Sequence, residues 1–297
     1  MPSSYPTKIR GLFTAIITPF DGKGRVDLEA FAKLIGFQVS KGADGIYVCG
    51  TTGLAPLLSL DERKSVAETA IEASRRRIPV VVQIGCADTP SSIDLAKHAE
   101  KVGAYAIASL TPYYYKPGER AIVAHFEAIS RAVELPLLAY NIPQFTGNNI
   151  SPALVSDLAR RGIVKGIKDS SRDLLQLQDT IDSVPKGFVV MNGTEEYGLY
   201  AMMSGASGLV SGGSSALPEV FKSMVVALGK GDYRAASAAH RRVLEVKDAV
   251  RKSPIPAYYE ILRARGIDCG KPRAPFLPMD HDDSRQMMEE LKSLELL

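Results

Sequence analysis

Short apolar runs alternate with amphipathic stretches along the whole chain, and most of the runs are nearly continuous rather than every-other-residue. Continuous runs mark strands buried on both faces, as in a parallel sheet. Strands are predicted at Phe13 to Thr18, Gly45 to Cys49, Val80 to Ile84, Tyr105 to Ser109, Leu137 to Tyr140, Val164 to Lys168, Phe188 to Met191 and Ser207 to Val210. Between them lie helical patterns. Ser59-Leu60-Asp61-Glu62 reads as a capping box, and Val66, Ala70 and Ala73 then share one helical face. Asp94 to Val102 and Glu119 to Val133 follow the same plan. Eight such alternations predict an α/β fold, a closed (β/α)8 TIM barrel. An open doubly wound sheet would need a glycine-rich dinucleotide turn after its first strand, and Thr18-Pro19-Phe20-Asp21-Gly22 is not one.

Beyond the eighth strand, Pro218 to Leu228, Tyr233 to Lys252 and Tyr258 to Arg265 predict an added C-terminal helical layer. The expectation is one domain, 1–297, with a barrel core at 11–215 and helices at 216–297 packed on it. A layer of this kind suits subunit contacts or caps the barrel.

Composition narrows the class. The chain has 297 residues, 45% hydrophobic and 23% charged, enough for one large core. Its 36 Lys and Arg against 33 Asp and Glu leave a net charge of +3, which gives no argument for nucleic acid. Arg75-Arg76-Arg77 and Arg160-Arg161 fall where helices end and complement their dipoles. Cys49, Cys86 and Cys269 make no C-x-x-C pattern, against a disulfide framework or a zinc site. Buried apolar roles suit all three, with a reactive thiol open for Cys49 and Cys86 at strand ends. The opening Met1-Pro2-Ser3-Ser4-Tyr5-Pro6 lacks a leader's apolar core, and no stretch is long and apolar enough to span a bilayer, so the cytoplasm is expected.

Barrel enzymes work at the C-terminal ends of their strands. Those positions hold Thr18, Gly50-Thr51-Thr52-Gly53, Tyr113-Tyr114, Tyr140-Asn141, Lys168, Asn192-Gly193 and Ser211-Gly212. The set offers one amine, several hydroxyls and no histidine, so a metal site or a Ser-His-Asp triad is poorly supported. An amine and a phenol on neighbouring strands are the groups that make and break an imine with a keto acid. Attack on a carbonyl needs the uncharged amine, which desolvation favours. A lysine at a strand end can also simply reach water. Strand alternation turns Asp169 away from Lys168, and turns Lys165 (168 − 165 = 3) to the opposite face as well. Gly50-Thr51-Thr52-Gly53 can hold a carboxylate on backbone N–H groups and hydroxyls. It can equally be a plain strand-to-helix turn.

Together, Gly50-Thr51-Thr52-Gly53, Pro112-Tyr113-Tyr114, Tyr140-Asn141-Ile142-Pro143 with Thr146-Gly147, and Gly166-Ile167-Lys168 resemble the dihydrodipicolinate synthase and N-acetylneuraminate lyase family in order and spacing. The tyrosine-to-lysine gap, 168 − 140 = 28, fits it, and the resemblance runs from Gly11 to about Pro278. It implies a class I pyruvate aldolase with no cofactor beyond a covalent imine on Lys168 and no metal, usually a homotetramer built as a dimer of dimers. Carried onto this chain, Lys168 captures pyruvate and Tyr140 shuttles protons. Thr51 and Thr52 hold the pyruvate carboxylate and relay protons, beside Gly53 and Pro143. Tyr114 reaches into the neighbouring subunit's site.

Within that family, the synthases place an arginine where this chain has Phe145, to grip the carboxylate of aspartate semialdehyde. A ring cannot replace that charge-assisted pair. Gly53-Leu54-Ala55-Pro56 and the tail from Lys271 to Asp280 resemble 2-keto-3-deoxygluconate aldolases. Asn192-Gly193-Thr194-Glu195-Glu196 resembles the segment with which sialic acid lyases hold sugar hydroxyls, although Glu195 and Glu196 also suit a helix N-terminus. Ser211, in the Gly208 to Ser215 stretch, lies where barrels bind phosphate. The leading expectation is reversible cleavage of a 2-keto-3-deoxy sugar acid to pyruvate and an aldehyde. N-acetylneuraminate lyase, dihydrodipicolinate synthase and a keto-deoxy sugar-acid dehydratase remain as alternatives. A non-catalytic pyruvate or sugar-acid sensor is the alternative from another class.

Overall fold

The computed structural model describes residues 6–297; residues 1–5, most of the stretch read above as lacking a leader, lie outside it. Its strands are β1 (Gly11–Ala15), β2 (Gly45–Val48), β3 (Val80–Gln83), β4 (Ala106–Leu110), β5 (Leu137–Asn141), β6 (Gly166–Asp169), β7 (Val189–Asn192) and β8 (Gly208–Ser211). Each pairs in parallel with the next, and β8 pairs with β1, which closes the barrel. The fold is a (β/α)8 TIM barrel with a C-terminal helical part.

The helices are α1 (Leu28–Ser40), α2 (Leu60–Ser74), α3 (Thr89–Val102), α4 (Glu119–Ala132), the single turn α5 (Pro143–Thr146), α6 (Pro152–Arg160), α7 (Leu174–Ser183), α8 (Gly198–Met203) and α9 (Pro218–Gly229). They are followed by α10 (Tyr233–Ala249), α11 (Pro254–Ala264) and α12 (His281–Ser293). The expected capping box is present: Glu62 N donates to Ser59 Oγ at 3.1 Å, and Ser59 N donates to Glu62 Oε2 at 2.9 Å.

Two cores result from strand alternation. Inside the barrel pack Phe13, Tyr47, Val81, Leu138, Tyr140 and Met191 with their neighbours. Outside it, Leu12, Ile46, Val82, Ile107 and Ile167 meet the helices. Adjacent residues of one strand therefore belong to different environments.

The expected element bounds shift in several places, α3 starting five residues earlier (94 − 89 = 5) and α11 four (258 − 254 = 4). β1 starts and ends earlier than Phe13 to Thr18, because the apolar run continues past the last paired residue. α9 directly follows β8 and completes the eighth strand–helix unit, so the added layer consists of α10 to α12 rather than everything after residue 215. α12 itself was not expected. Its sequence is largely polar, and only Met287 and Leu291, four residues apart, are buried.

The C-terminal layer is tied to the catalytic end of the barrel. Tyr259 Oη on α11 donates to the Thr18 carbonyl at 2.6 Å. Arg273 grips both oxygens of Glu62 on α2 and donates to the Leu57 carbonyl at 2.8 Å. No described helix is long and apolar enough to cross a membrane.

Candidate active site

Tyr140 and Lys168 are direct cross-strand neighbours between β5 and β6, so both side chains enter the barrel interior. Lys168 is 4% exposed and Tyr140 2%. The Lys168 Nζ lies 4.0 Å from the centre of the Tyr140 ring and 4.4 Å from that of Tyr47. Two aromatic faces can hold the amine whenever it carries charge. No described carboxylate forms an ion pair with it.

Asp169, the next residue, faces the helical side. Its Oδ1 accepts from Ser171 N at 2.8 Å and from Asn141 Nδ2 at 3.2 Å. Asn141 in turn accepts from Ile150 N at 2.9 Å. This set fastens the ends of β5 and β6 together behind the amine and the phenol. Burial raises the Asp169 carboxyl above its ordinary range, while the Ser171 bonds oppose that rise.

The Gly50 to Gly53 stretch forms a tight turn off β2. Leu54 N donates to the Thr51 carbonyl at 3.1 Å, and Thr18 Oγ1 donates to the Gly53 carbonyl at 2.7 Å. Thr51 Oγ1 and the Tyr140 hydroxyl lie 3.2 Å apart and share a hydrogen bond. Amine, phenol and threonine hydroxyl are thus brought together from three segments, β6, β5 and the β2 turn. Thr52 turns toward the end of β8, where a Cβ on Gly212 would sit 2.9 Å from its Oγ1.

Gly193, after β7, keeps the lysine's path open. A Cβ there would lie 2.0 Å from Ser170 Oγ and 3.0 Å from Lys168 Cε. Pro143 opens α5 directly after the tyrosine strand, and Phe145 on that turn is 68% exposed at the barrel rim. Tyr114 is 88% exposed and stacks edge-on against Tyr115 at 5.1 Å. Within one chain it does not approach Lys168.

Glu195, Glu196 and Ser211 sit together, but two of the three are already engaged. Glu195 Oε1 accepts from Ser211 Oγ and from Gly213 N, each at 2.7 Å. Its Oε2 lies 3.3 Å from Lys247 Nζ of α10. Glu195 and Ser211 therefore hold the β8 turn in place, whereas the partly exposed Glu196 is 3.9 Å from Lys247.

Tyr47 is a site residue that sequence reasoning missed. It was hidden within an apolar strand, and its only signal was parity, since it shares a face with Gly45 and so points inward. Its ring packs edge-on to Tyr140 at 5.8 Å, and its buried hydroxyl has no hydrogen-bond partner among the described residues. Burial pushes the Tyr47 phenol well above its ordinary range, so it serves as packing rather than as a proton carrier.

The thiols take no part. Burial raises Cys49 to about 11 and Cys269 to about 12, and Cys86 moves the same way despite Arg63 at 3.1 Å. Thiolates are the reactive form, so the reading of Cys49 or Cys86 as reactive finds no support. Among the described residues, no group of three or more His, Cys, Asp and Glu could hold a metal ion.

A buried lysine with a phenol beside it and a threonine behind the phenol is the equipment of imine chemistry on a keto acid. Comparison with known proteins agrees. Residues 8–294 match the dihydrodipicolinate synthetase family. The 4-hydroxy-tetrahydrodipicolinate synthase of Desulfotalea psychrophila is 36% identical over 98% of both chains. That of Chlorobium chlorochromatii is 32% identical over the full length of both. Among solved structures, an E. coli prophage protein of the dihydrodipicolinic acid synthase family, in complex with pyruvate, superposes with a TM-score of 0.93 at 28% identity, covering 97% of this chain and 99% of the other. A Bacillus anthracis dihydrodipicolinate synthase gives 0.91 at 31%, covering 96% and 98%. On this evidence the chain belongs to the dihydrodipicolinate synthetase family, the class I pyruvate-dependent aldolases.

Proposed function

We infer that the protein is a lyase that holds pyruvate as an imine on Lys168 and makes or breaks a carbon–carbon bond to an aldehyde. The observation that supports this best is Lys168 Nζ lying 4.0 Å from the Tyr140 ring, with the Tyr140 hydroxyl bonded to Thr51 at 3.2 Å. In the joining direction the amine adds to the keto carbon and water leaves, giving a protonated imine. A proton then leaves the adjacent carbon, and the enamine attacks the aldehyde carbonyl. Hydrolysis returns the amine. Tyr140 carries protons in these steps, oriented by Thr51. Thr51, Thr52 and the Gly53 turn hold the pyruvate carboxylate, with Pro143 fixing the loop after the tyrosine. Tyr114, exposed in one chain, completes the site of a second copy in a homotetramer. The chemistry calls for no metal, and the cytoplasm is its expected compartment.

For the aldehyde, Phe145 favours cleavage of a 2-keto-3-deoxy sugar acid, because an exposed ring offers no charge to an amino-acid semialdehyde. The relatives' names favour a second reading, 4-hydroxy-tetrahydrodipicolinate synthase, joining pyruvate to aspartate semialdehyde. Borohydride reduction in the presence of pyruvate should leave a stable adduct on Lys168, absent in Lys168→Ala. A wild-type protein without that adduct is a binder rather than an enzyme. Turnover of 2-keto-3-deoxygluconate, N-acetylneuraminate, and pyruvate with aspartate semialdehyde then ranks the aldehydes; dominance of the last selects the synthase.

A further inference from the structure

Four residues beyond Lys168, on the loop from β6 to α7, Arg172 has an exposed side chain and a backbone φ of +64°. That left-handed conformation is disfavoured for any residue with a Cβ. The guanidinium makes no hydrogen bond or ion pair with any described residue. Lys247 lies near enough for the two cations to repel. Lys247 has anions of its own in Glu195 at 3.3 Å and Glu196 at 3.9 Å. Arg172 borders a narrow crevice with Asp169, Asp173, Asn192, Thr194 and Tyr197 at the ends of β6 and β7, on the helical side of those strands.

The loop carrying Arg172 is fixed to the one carrying Phe145. Gln144 Nε2 donates to the Ser170 carbonyl at 3.0 Å, two residues ahead of Arg172. The rim that lacks a cation at residue 145 thus has one on the adjoining loop. No described carboxylate forms an ion pair with that guanidinium, although Asp169 and Asp173 line the same crevice. A planar fork of N–H donors is suited to bidentate binding of a carboxylate or a phosphate. We propose that Arg172 is a specificity-determining residue that binds an anionic group, carboxylate or phosphate, on the aldehyde joined to pyruvate. This rests on the imine reading of Lys168 and adds to it the charge of the second substrate.

The test compares wild type, Arg172→Gln, Arg172→Gly and Arg172→Lys as full-length chains. Each is assayed with pyruvate against glyceraldehyde 3-phosphate, aspartate semialdehyde and neutral glyceraldehyde. Borohydride trapping of pyruvate comes first; its failure in wild type removes the imine reading, whatever Arg172 does. With trapping intact in all four, KM for an anionic aldehyde should rise tenfold or more in both the Gln and the Gly variants. KM for pyruvate and for glyceraldehyde should stay within twofold. Lys should restore part of the loss. The Gly variant separates charge from loop shape, since it relieves the positive φ and should melt higher than wild type while losing the preference. Whether the phosphate or the carboxylate responds identifies the anion's source. The proposal is overturned by an anionic KM that does not change, by an equal loss on glyceraldehyde, or by a wild type that turns over neither anion.

Discussion

A methyl group at Gly193 would meet Ser170 Oγ at 2.0 Å and Lys168 Cε at 3.0 Å, distances at which something must move. The Ser170 hydroxyl, just beyond β6, must rotate away, and the Lys168 stem must shift as well. Gly193→Ala should slow imine formation tenfold or more and cost about 1–3 kcal/mol of stability, the usual price of overpacking. Single-turnover borohydride trapping reads the first effect and urea denaturation the second; a variant trapping pyruvate at the wild-type rate would refute the account. The residues proposed to carry this chemistry were legible because strand ends and strand parity are written in the sequence. Lys168, Tyr140 and Thr51 could be placed on that basis. Tyr47 could not, because a phenol in an apolar run shows nothing of its missing partner. Nor could the engagement of Glu195, which depends on Lys247 arriving from a helix 52 residues later (247 − 195 = 52).

Elements fix how those residues are held. Glu195 joins three of them: the turn after β7, the turn after β8 through Ser211 and Gly213, and α10 through Lys247. Glu195→Ala removes the acceptor for Ser211 and Gly213 and leaves a half-buried ammonium with only Glu196 beside it. The expected loss is about 2–4 kcal/mol, with pyruvate trapping on Lys168 retained. A variant with wild-type melting and no sugar-acid turnover would instead make Glu195 a substrate ligand. Periodicity located most elements well, and Glu119 to Val133 differs from α4 by a single residue. It missed α12, a strongly polar helix in which only Met287 and Leu291 are buried. The boundary at residue 215 is a separate matter: α9 and α10 are both amphipathic helices in sequence, and only closure of the barrel tells them apart.

For the molecule as a whole, buried titratable groups couple stability to acid pH. His125 on α4 is buried between Thr89 Oγ1 at 2.9 Å and Ser109 Oγ at 3.3 Å, and burial lowers its pKa to about 4. The unfolded chain, with an ordinary histidine near 6.5, takes up that proton more readily. Its contribution is therefore complete above about pH 6.5 and is lost as the pH falls toward 4, on the order of 3 kcal/mol in all. Asp169 works in the opposite sense, because burial raises its carboxyl and acidification relieves the buried charge. Comparing urea midpoints of wild type and His125→Gln at pH 7 and pH 4.5 isolates the histidine. The variant should show the shallower decline, and equal slopes would exclude His125 as the source.

The alternation that sends Lys168 inward and Asp169 outward has a consequence for how such a barrel tolerates change. Deleting one residue ahead of Lys168 within β6 would exchange the two, bringing a carboxylate among the aromatic rings and an ammonium among the apolar helices. A single lost codon there would reverse the electrical sign of the cavity. Insertions and deletions should therefore be confined to the loops, with the spacing inside this strand immune to drift.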